Sequence, residues 1–140
     1  MLSFLQPGRG GTYVDCTLGL GGHTRALLER GAERVIGLDR DTHALRLAEA
    51  SLATFHDRVE AVHADYRTLD AVLDARGLET VDGILADLGV SSMQLDAEGR
   101  GFSFRRDEPL DMRMDQSAGA TAADLVNAAS EQELAPSLGP

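Results

Sequence analysis

The sequence has 140 residues, with 13 basic and 23 acidic side chains and therefore a formal net charge of −10. This length accommodates one domain at most, and an apolar fraction of 43% with 26% charged residues excludes a chain that is disordered throughout. A single cysteine, Cys16, excludes an intramolecular disulfide or a thiolate metal cluster, and no uncharged apolar run reaches the roughly 18 residues of a membrane helix. We therefore expect a cytoplasmic protein with no membrane segment, and the negative charge argues against a free-standing nucleic-acid binder.

The first part of the chain predicts strands alternating with helices. Glycines 19, 21 and 22 form a tight loop after the first strand, and Asp41 is placed to cap the second helix. The predicted elements are a strand at 12–16, a helix at 24–30, a strand at 34–39, a helix at 42–52, a strand at 59–62, a helix at 68–75 and a strand at 81–87. This alternation favours an α/β fold with a parallel, Rossmann-like sheet.

The later part of the chain differs in composition and periodicity. Residues 88–119 are rich in Gly, Ser, Asp and Arg without a sustained period, which is typical of a functional loop. A helix is predicted at 121–129, with Thr121 and Asp124 available for capping. Four strands with all crossovers in one direction make half of a doubly wound sheet, so we expect this sheet to be incomplete.

The glycine loop and Asp39 predict a nucleoside-binding site. Glycines let backbone N–H groups and a helix N-terminus approach a ligand closely, although a plain tight turn is the alternative for the loop alone. Asp39 closes the second strand 20 residues after Gly19, where an acid accepts hydrogen bonds from a ribose diol. A dinucleotide fingerprint requires a third glycine where this chain has Thr24, so S-adenosyl-methionine is favoured over NAD. Asp65 or Tyr66 would then lie near the adenine.

Asp87 ends the fourth strand and is predicted to point into the same cleft. The alternative is a loop cap that bonds nearby backbone N–H groups. We interpret Cys16 as a packing residue and find no metal-ligand spacing among the histidines at 43, 56 and 63.

Four segments closely resemble one family. They are Tyr13-Val-Asp-Cys-Thr-Leu-Gly-Leu-Gly-Gly-His23, Val35-Ile-Gly-Leu-Asp-Arg-Asp41, Val81-Asp-Gly-Ile-Leu-Ala-Asp-Leu-Gly-Val-Ser-Ser92 and Gly101-Phe-Ser-Phe-Arg-Arg-Asp-Glu-Pro-Leu-Asp-Met-Arg-Met-Asp115. The family is the bacterial 16S ribosomal RNA cytosine-N4 methyltransferases. The resemblance implies a class I methyltransferase sheet, S-adenosyl-methionine as cofactor, and 16S rRNA in the small ribosomal subunit as substrate.

The resemblance also implies site residues. The positions that match the family's cofactor site are Gly21, Gly22, His23, Asp39, Tyr66, Asp87 and Gln94. Tyr66 stands where the family usually has phenylalanine, which preserves a stacking face. As a hypothesis, Asp87 or a neighbouring carbonyl accepts hydrogen bonds from the cytosine amine. Candidate RNA contacts are Phe102, Arg105, Arg106 and Arg113. The arginines at 100, 105, 106 and 113 are where we expect an acidic chain to meet phosphate.

Both ends of the sequence depart from the family. An upstream His-x-Pro-Val segment is missing, and family members continue well beyond residue 134 with a helical RNA-recognition insertion and the last strands. We therefore expect residues 1–134 to be the N-terminal part of the methyltransferase domain and 135–140 a truncated end. Two alternatives remain: a fragment that binds cofactor without catalysis, and an NAD-dependent oxidoreductase domain.

Overall fold

The chain divides into two compact units. The computed structural model describes residues 2–89, 95, 97–105 and 107–134, and the division falls between residues 89 and 90. The first unit is an α/β sheet unit. The described residues of the second form irregular segments and short helices.

The first unit contains a four-stranded parallel sheet. Its strands are β1 (Thr12–Asp15), β2 (Arg34–Asp39), β3 (Val59–His63) and β4 (Gly83–Leu85). They lie in the order β3-β2-β1-β4, and each neighbouring pair is parallel. This order is the one in which a doubly wound Rossmann-like sheet begins, so the predicted fold class is confirmed.

β4 is shorter than the strand predicted at 81–87, and a side-chain hydrogen bond to the β1 segment lies at each end of it. At the start, the Asp82 carboxylate accepts a hydrogen bond from the backbone N–H of Thr12 at 2.7 Å. At the end, the backbone N–H of Asp87 donates to the hydroxyl of Thr17 at 2.8 Å. Backbone pairing with β1 runs from Asp82, whose N–H donates to the Thr12 carbonyl at 2.8 Å, to Leu85, whose carbonyl accepts from the Cys16 N–H at 2.8 Å.

Helices α1 to α4 accompany the sheet, and two further helices are described within residues 107–134 of the second unit. They are α1 (Leu2–Leu5), α2 (Gly22–Glu29), α3 (Thr42–Ser51), α4 (Leu69–Asp74), α5 (Ala122–Ala128) and α6 (Glu131–Leu134). Asp41 caps α3 as predicted, since its carboxylate accepts from the N–H groups of His43 and Ala44. In the described part of the chain, no helix has the length and apolar character needed to cross a membrane.

The core lies on both faces of β1 and β2. Alternate residues of these strands belong to two apolar clusters: Tyr13 and Val35 pack with Leu27 of α2, whereas Val14 and Ile36 belong to the opposite cluster. A parallel sheet covered on both faces requires such nearly continuous apolar strands. Cys16 is buried in the second cluster, which confirms its prediction as a packing residue.

The second unit is organised around Arg100. This side chain is buried, and its Nη2 atom donates to the backbone carbonyls of Arg113 and Met114 at 3.0 Å each. The expectation that Arg100 meets phosphate is wrong, because its guanidinium is enclosed by the chain. At the start of α5, Thr121 and Asp124 form the predicted capping box.

A candidate ligand-binding site at the carboxyl ends of the strands

The predicted glycine loop connects β1 to α2 at the carboxyl edge of the sheet. Gly19 and Gly21 have positive φ angles of 51° and 81°. A Cβ atom on Gly21 would lie 2.7 Å from Cδ1 of Leu52, whereas one on Gly22 would meet nothing within 4 Å. The loop thus requires glycine at residue 21 for its own shape and leaves open space at residue 22.

β2 holds this loop in place at two points. The Asp39 carboxylate accepts hydrogen bonds from the backbone N–H groups of Gly19, at 2.8 Å, and Asp41, at 2.9 Å. Earlier in β2, a Cβ atom on Gly37 would lie 2.6 Å from Cδ1 of Leu18. The Leu18 side chain therefore packs in the space that a side chain at residue 37 would fill. Each carboxylate oxygen of Asp39 has a second lone pair with which to accept a ligand hydroxyl.

A buried carboxylate beneath the loop was not predicted from the sequence. Asp15 is fully buried at the end of β1, and its two oxygens accept from the Thr24 hydroxyl at 2.8 Å and the Thr17 N–H at 3.1 Å. Burial raises the pKa of Asp15, which the bonds from Thr24 and Thr17 partly oppose. The available signal was an acid directly before a glycine loop, with a hydroxyl residue on the following helix.

Asp87 lies across the loop, where β4 ends. Its carboxylate is exposed and lies 3.3 Å from the His23 ring, measured from Oδ2 to Nε2. His23 is the second residue of α2. The structure therefore brings two predicted site residues, one from each side of the cleft, into direct contact.

Tyr66 follows β3 and presents a partly exposed ring. It begins a short 3-10 turn, and the preceding Asp65 caps that turn by accepting from the Arg67 N–H. The Asp65 carboxylate is also bound by the guanidinium of Arg67 at 2.6 Å, and the hydrogen bonds from Arg67 lower the pKa of Asp65 to about 2. Asp65 and Tyr66 are the two residues predicted to lie near the adenine. The Asp65 carboxylate is already bound by arginine, whereas the Tyr66 ring is partly exposed.

The candidate RNA contacts have different environments. Arg105 is exposed and Phe102 is half-buried. The Arg113 guanidinium binds the Asp111 carboxylate at 2.8 and 2.9 Å, and its Nη1 donates to the carbonyl of Gly119. Gln94 and Arg106 lie outside the described residues. Among the residues that are described, no group of three or more His, Cys, Asp or Glu side chains is placed to hold a metal ion.

The sequence pattern of the MraW methylase family matches residues 1–138. The chain belongs to the MraW methylase family.

Curated relatives of this chain carry a common name, ribosomal RNA small subunit methyltransferase H. The one from Sorangium cellulosum is 54% identical over 135 residues, which is 96% of this chain and 43% of the relative. The one from Salinispora tropica is 58% identical and covers 88% of this chain and 33% of its own. The chain thus spans less than half the length of these relatives.

A solved structure supports the fold of this chain. A Streptococcus mutans protein described as a methyltransferase, crystallised in complex with SAH, aligns with a TM-score of 0.51. The alignment covers 59% of this chain and 44% of that one at 20% identity. Likeness at this level shows a shared Rossmann-like fold.

Proposed function

We propose that this chain carries the cofactor site of a cytoplasmic S-adenosyl-methionine-dependent methyltransferase. It also carries the carboxylate, Asp87, that activates the methyl-accepting amine. Its substrate would be the exocyclic N4 amine of a cytosine in 16S rRNA of the small ribosomal subunit. The observation that carries the proposal is the glycine loop, bounded by Asp39 on one side and by Asp87 on the other. Relatives named ribosomal RNA small subunit methyltransferase H support the RNA substrate.

The residues present fit the cofactor. The open space at Gly22 admits a ligand against the backbone, and Asp39 supplies acceptors for the ribose hydroxyls. The Tyr66 ring offers a stacking face for adenine, with Gly21, His23 and Gln94 completing the proposed set. When bound, S-adenosyl-methionine supplies an electrophilic methyl group on a sulfonium.

The residues of this chain would act on the cytosine amine that accepts the methyl group. A cytosine amine is a poor nucleophile because its lone pair is delocalised into the ring. Asp87 has an exposed carboxylate that can accept the amine N–H bonds, localise the lone pair and hold the flipped base towards the methyl group. A neighbouring carbonyl of the segment that follows is the other candidate acceptor.

RNA contact is proposed for the second unit. Arg105 is exposed and suited to a phosphate, with Arg106 beside it in the sequence, and Phe102 would supply an aromatic surface for a base. Arg113 already binds Asp111, so a phosphate would have to compete with a carboxylate for it. Arg105 is therefore the first arginine to test.

Calorimetric titration of the 140-residue chain with S-adenosyl-methionine and with NAD tests the cofactor. We expect binding of S-adenosyl-methionine alone, weakened about tenfold or more by Asp39→Asn, because a charged acceptor is worth about 1.5–3 kcal/mol. Asp57→Asn is the matched control, since this exposed acid lies before β3 at the opposite edge of the sheet. Preferential binding of NAD would instead support the oxidoreductase alternative, in which the buried Thr24 replaces the third glycine.

Methyl transfer to small subunits that lack the mark tests Asp87, with the intact protein as enzyme. We expect Asp87→Asn to reduce turnover about 100-fold, because an amide is a weaker acceptor for the amine. Turnover at the wild-type rate, with unchanged cofactor affinity, would contradict the role of Asp87. Cofactor binding without transfer by the wild-type protein would leave only the non-catalytic alternative.

A further inference from the structure

The position of Asp87 depends on the loop that follows β1. Its backbone N–H donates to Oγ1 of Thr17 at 2.8 Å, and its carboxylate contacts the ring of His23 at 3.3 Å. Both partners belong to the proposed cofactor loop and its helix, more than 60 residues away in the sequence. The following residue, Leu88, is exposed, so packing of that side chain does not fix the segment.

Thr17 stands where the backbone ladder between β1 and β4 ends. The last backbone bond runs from the Cys16 N–H to the Leu85 carbonyl at 2.8 Å. Beyond it, the Thr17 hydroxyl takes the place of a strand carbonyl and receives the N–H of Asp87. A side chain thus extends the pairing of the two strands by one bond.

Thr17 is in turn held by a buried carboxylate of β1. Its backbone N–H donates to the buried carboxylate of Asp15, which also binds the Thr24 hydroxyl of α2. A buried acceptor that is satisfied by two donors holds a loop more firmly than a solvent-exposed one. The contacts therefore run continuously from the core, through Thr17, to the backbone of Asp87.

We propose that Thr17 is a positioning residue that fixes Asp87 for the acceptor amine. The inference rests on the role proposed above for Asp87. Loss of the hydroxyl leaves the Asp87 N–H without its partner and releases the carboxylate from its fixed distance to the cofactor loop. Transfer needs that geometry, whereas the proposed ribose and adenine contacts come from Asp39 and Tyr66, neither of which hydrogen-bonds to Thr17 or Asp87 in the described part of the chain.

Two substitutions of similar size separate the hydroxyl from its packing. Thr17→Val retains the branched shape and removes the acceptor, whereas Thr17→Ser retains the hydroxyl. With the intact protein and small subunits, we expect Thr17→Val to reduce kcat about tenfold with the affinity for S-adenosyl-methionine nearly unchanged. Thr17→Ser should restore most of the rate. A wild-type kcat in Thr17→Val, or failure of Thr17→Ser to restore it, would overturn the proposal.

Hydrogen exchange of the Asp87 amide tests the contact without any need for transfer. In the 140-residue chain we expect faster exchange of this amide in Thr17→Val and near wild-type exchange in Thr17→Ser. Unchanged exchange in Thr17→Val would also overturn the proposal. Thr17→Ala serves as a second variant if valine disturbs folding, with the same expected results.

The two proposals fail in distinguishable ways. If Asp87→Asn transfers methyl groups at the wild-type rate, the proposed role of Asp87 is wrong, and with it the positioning role of Thr17. If Asp87→Asn is inactive but Thr17→Val is fully active, only the positioning role fails.

Discussion

Three carboxylates at the carboxyl edge of the sheet have three different environments. Asp15 is buried and bound by a hydroxyl and an N–H, Asp39 accepts from two backbone N–H groups, and Asp87 is exposed beside His23. Burial disfavours the charged form of the Asp15 carboxyl and raises its pKa, which the bonds from Thr24 and Thr17 partly oppose. These environments suit Asp15 to supporting the loop, Asp39 to holding a ligand and Asp87 to meeting a substrate.

The contact between Asp65 and Arg67 should make the stability of the fold depend on pH. Hydrogen bonds from Arg67 lower the pKa of Asp65 in the folded state to about 2, below its ordinary value of 3.8. The stabilisation is therefore fully present above about pH 4 and is lost as the pH falls through about 2. We expect Asp65→Asn to lower the free energy of unfolding by on the order of 1 kcal/mol at neutral pH, because the Arg67 partner is exposed to water.

Urea unfolding at several pH values measures this difference. The gap in unfolding free energy between the wild type and Asp65→Asn should narrow between about pH 4 and about pH 2. Asp57→Asn removes an exposed acid at the other end of β3 whose contact is His56 rather than an arginine, and it controls for the loss of one negative charge. A gap that stayed constant over this range would show that the Arg67 contact does not stabilise the fold.

Adjacent glycines at the start of α2 have separable roles. Gly21 has a positive φ, and a Cβ atom there would collide with Leu52, so we expect Gly21→Ala to destabilise the protein by about 1–3 kcal/mol. Gly22 has open space, so Gly22→Ala should change stability by about 1 kcal/mol or less. Thermal unfolding of the two variants measures this contrast.

Cofactor titration of the same pair completes the comparison. We expect Gly22→Ala to bind S-adenosyl-methionine more weakly despite a stable fold, because its methyl group occupies space left for the ligand. Equal stability of the two variants would contradict the assignment of Gly21 to the shape of the loop. Wild-type affinity in Gly22→Ala would remove residue 22 from the proposed site.

Much of the first unit was predictable from sequence because its elements have local signals. The strand at 34–39 agrees with β2 at both ends, and Asp41 caps α3, since β-branched runs and N-caps are read within a few residues. α2 begins two residues before the predicted Thr24, because Gly22 is its first residue despite the low helix propensity of glycine, and Gly21 precedes it as the left-handed N-cap.

Contacts between distant residues could not be predicted in this way. Asp39 follows a known spacing from Gly19, whereas Thr17 and Asp87 meet across 70 residues with no fixed register between them. Arg100 was misjudged for the same reason: its partners are backbone carbonyls 13 and 14 residues later, and any sequence would supply such carbonyls.

At the scale of the whole molecule, β4 presents an apolar surface. Among the described residues this strand pairs only with β1, and Ile84 is 50% exposed. An unpaired apolar edge favours association between chains. We expect the 140-residue chain to associate at high concentration and Ile84→Lys to reduce that association severalfold, measured by light scattering.

The matched control for this prediction is Phe104→Ser, which removes a fully exposed aromatic ring in the second unit. It should leave association largely unchanged if β4 is responsible. A chain that remains monomeric at high concentration, or equal effects of the two substitutions, would contradict the role of the β4 edge.

The two attachments of the glycine loop to β2 have a consequence for protein engineering. Leu18 occupies the space left by Gly37, and Gly19 is bound to Asp39, so the strand acts as a template for the loop. A graft of residues 15–24 into another sheet protein would lose its conformation unless the glycine and the acid of the neighbouring strand were transplanted as well. A transferable unit therefore comprises the loop and the second half of β2, which begins 13 residues after the loop ends.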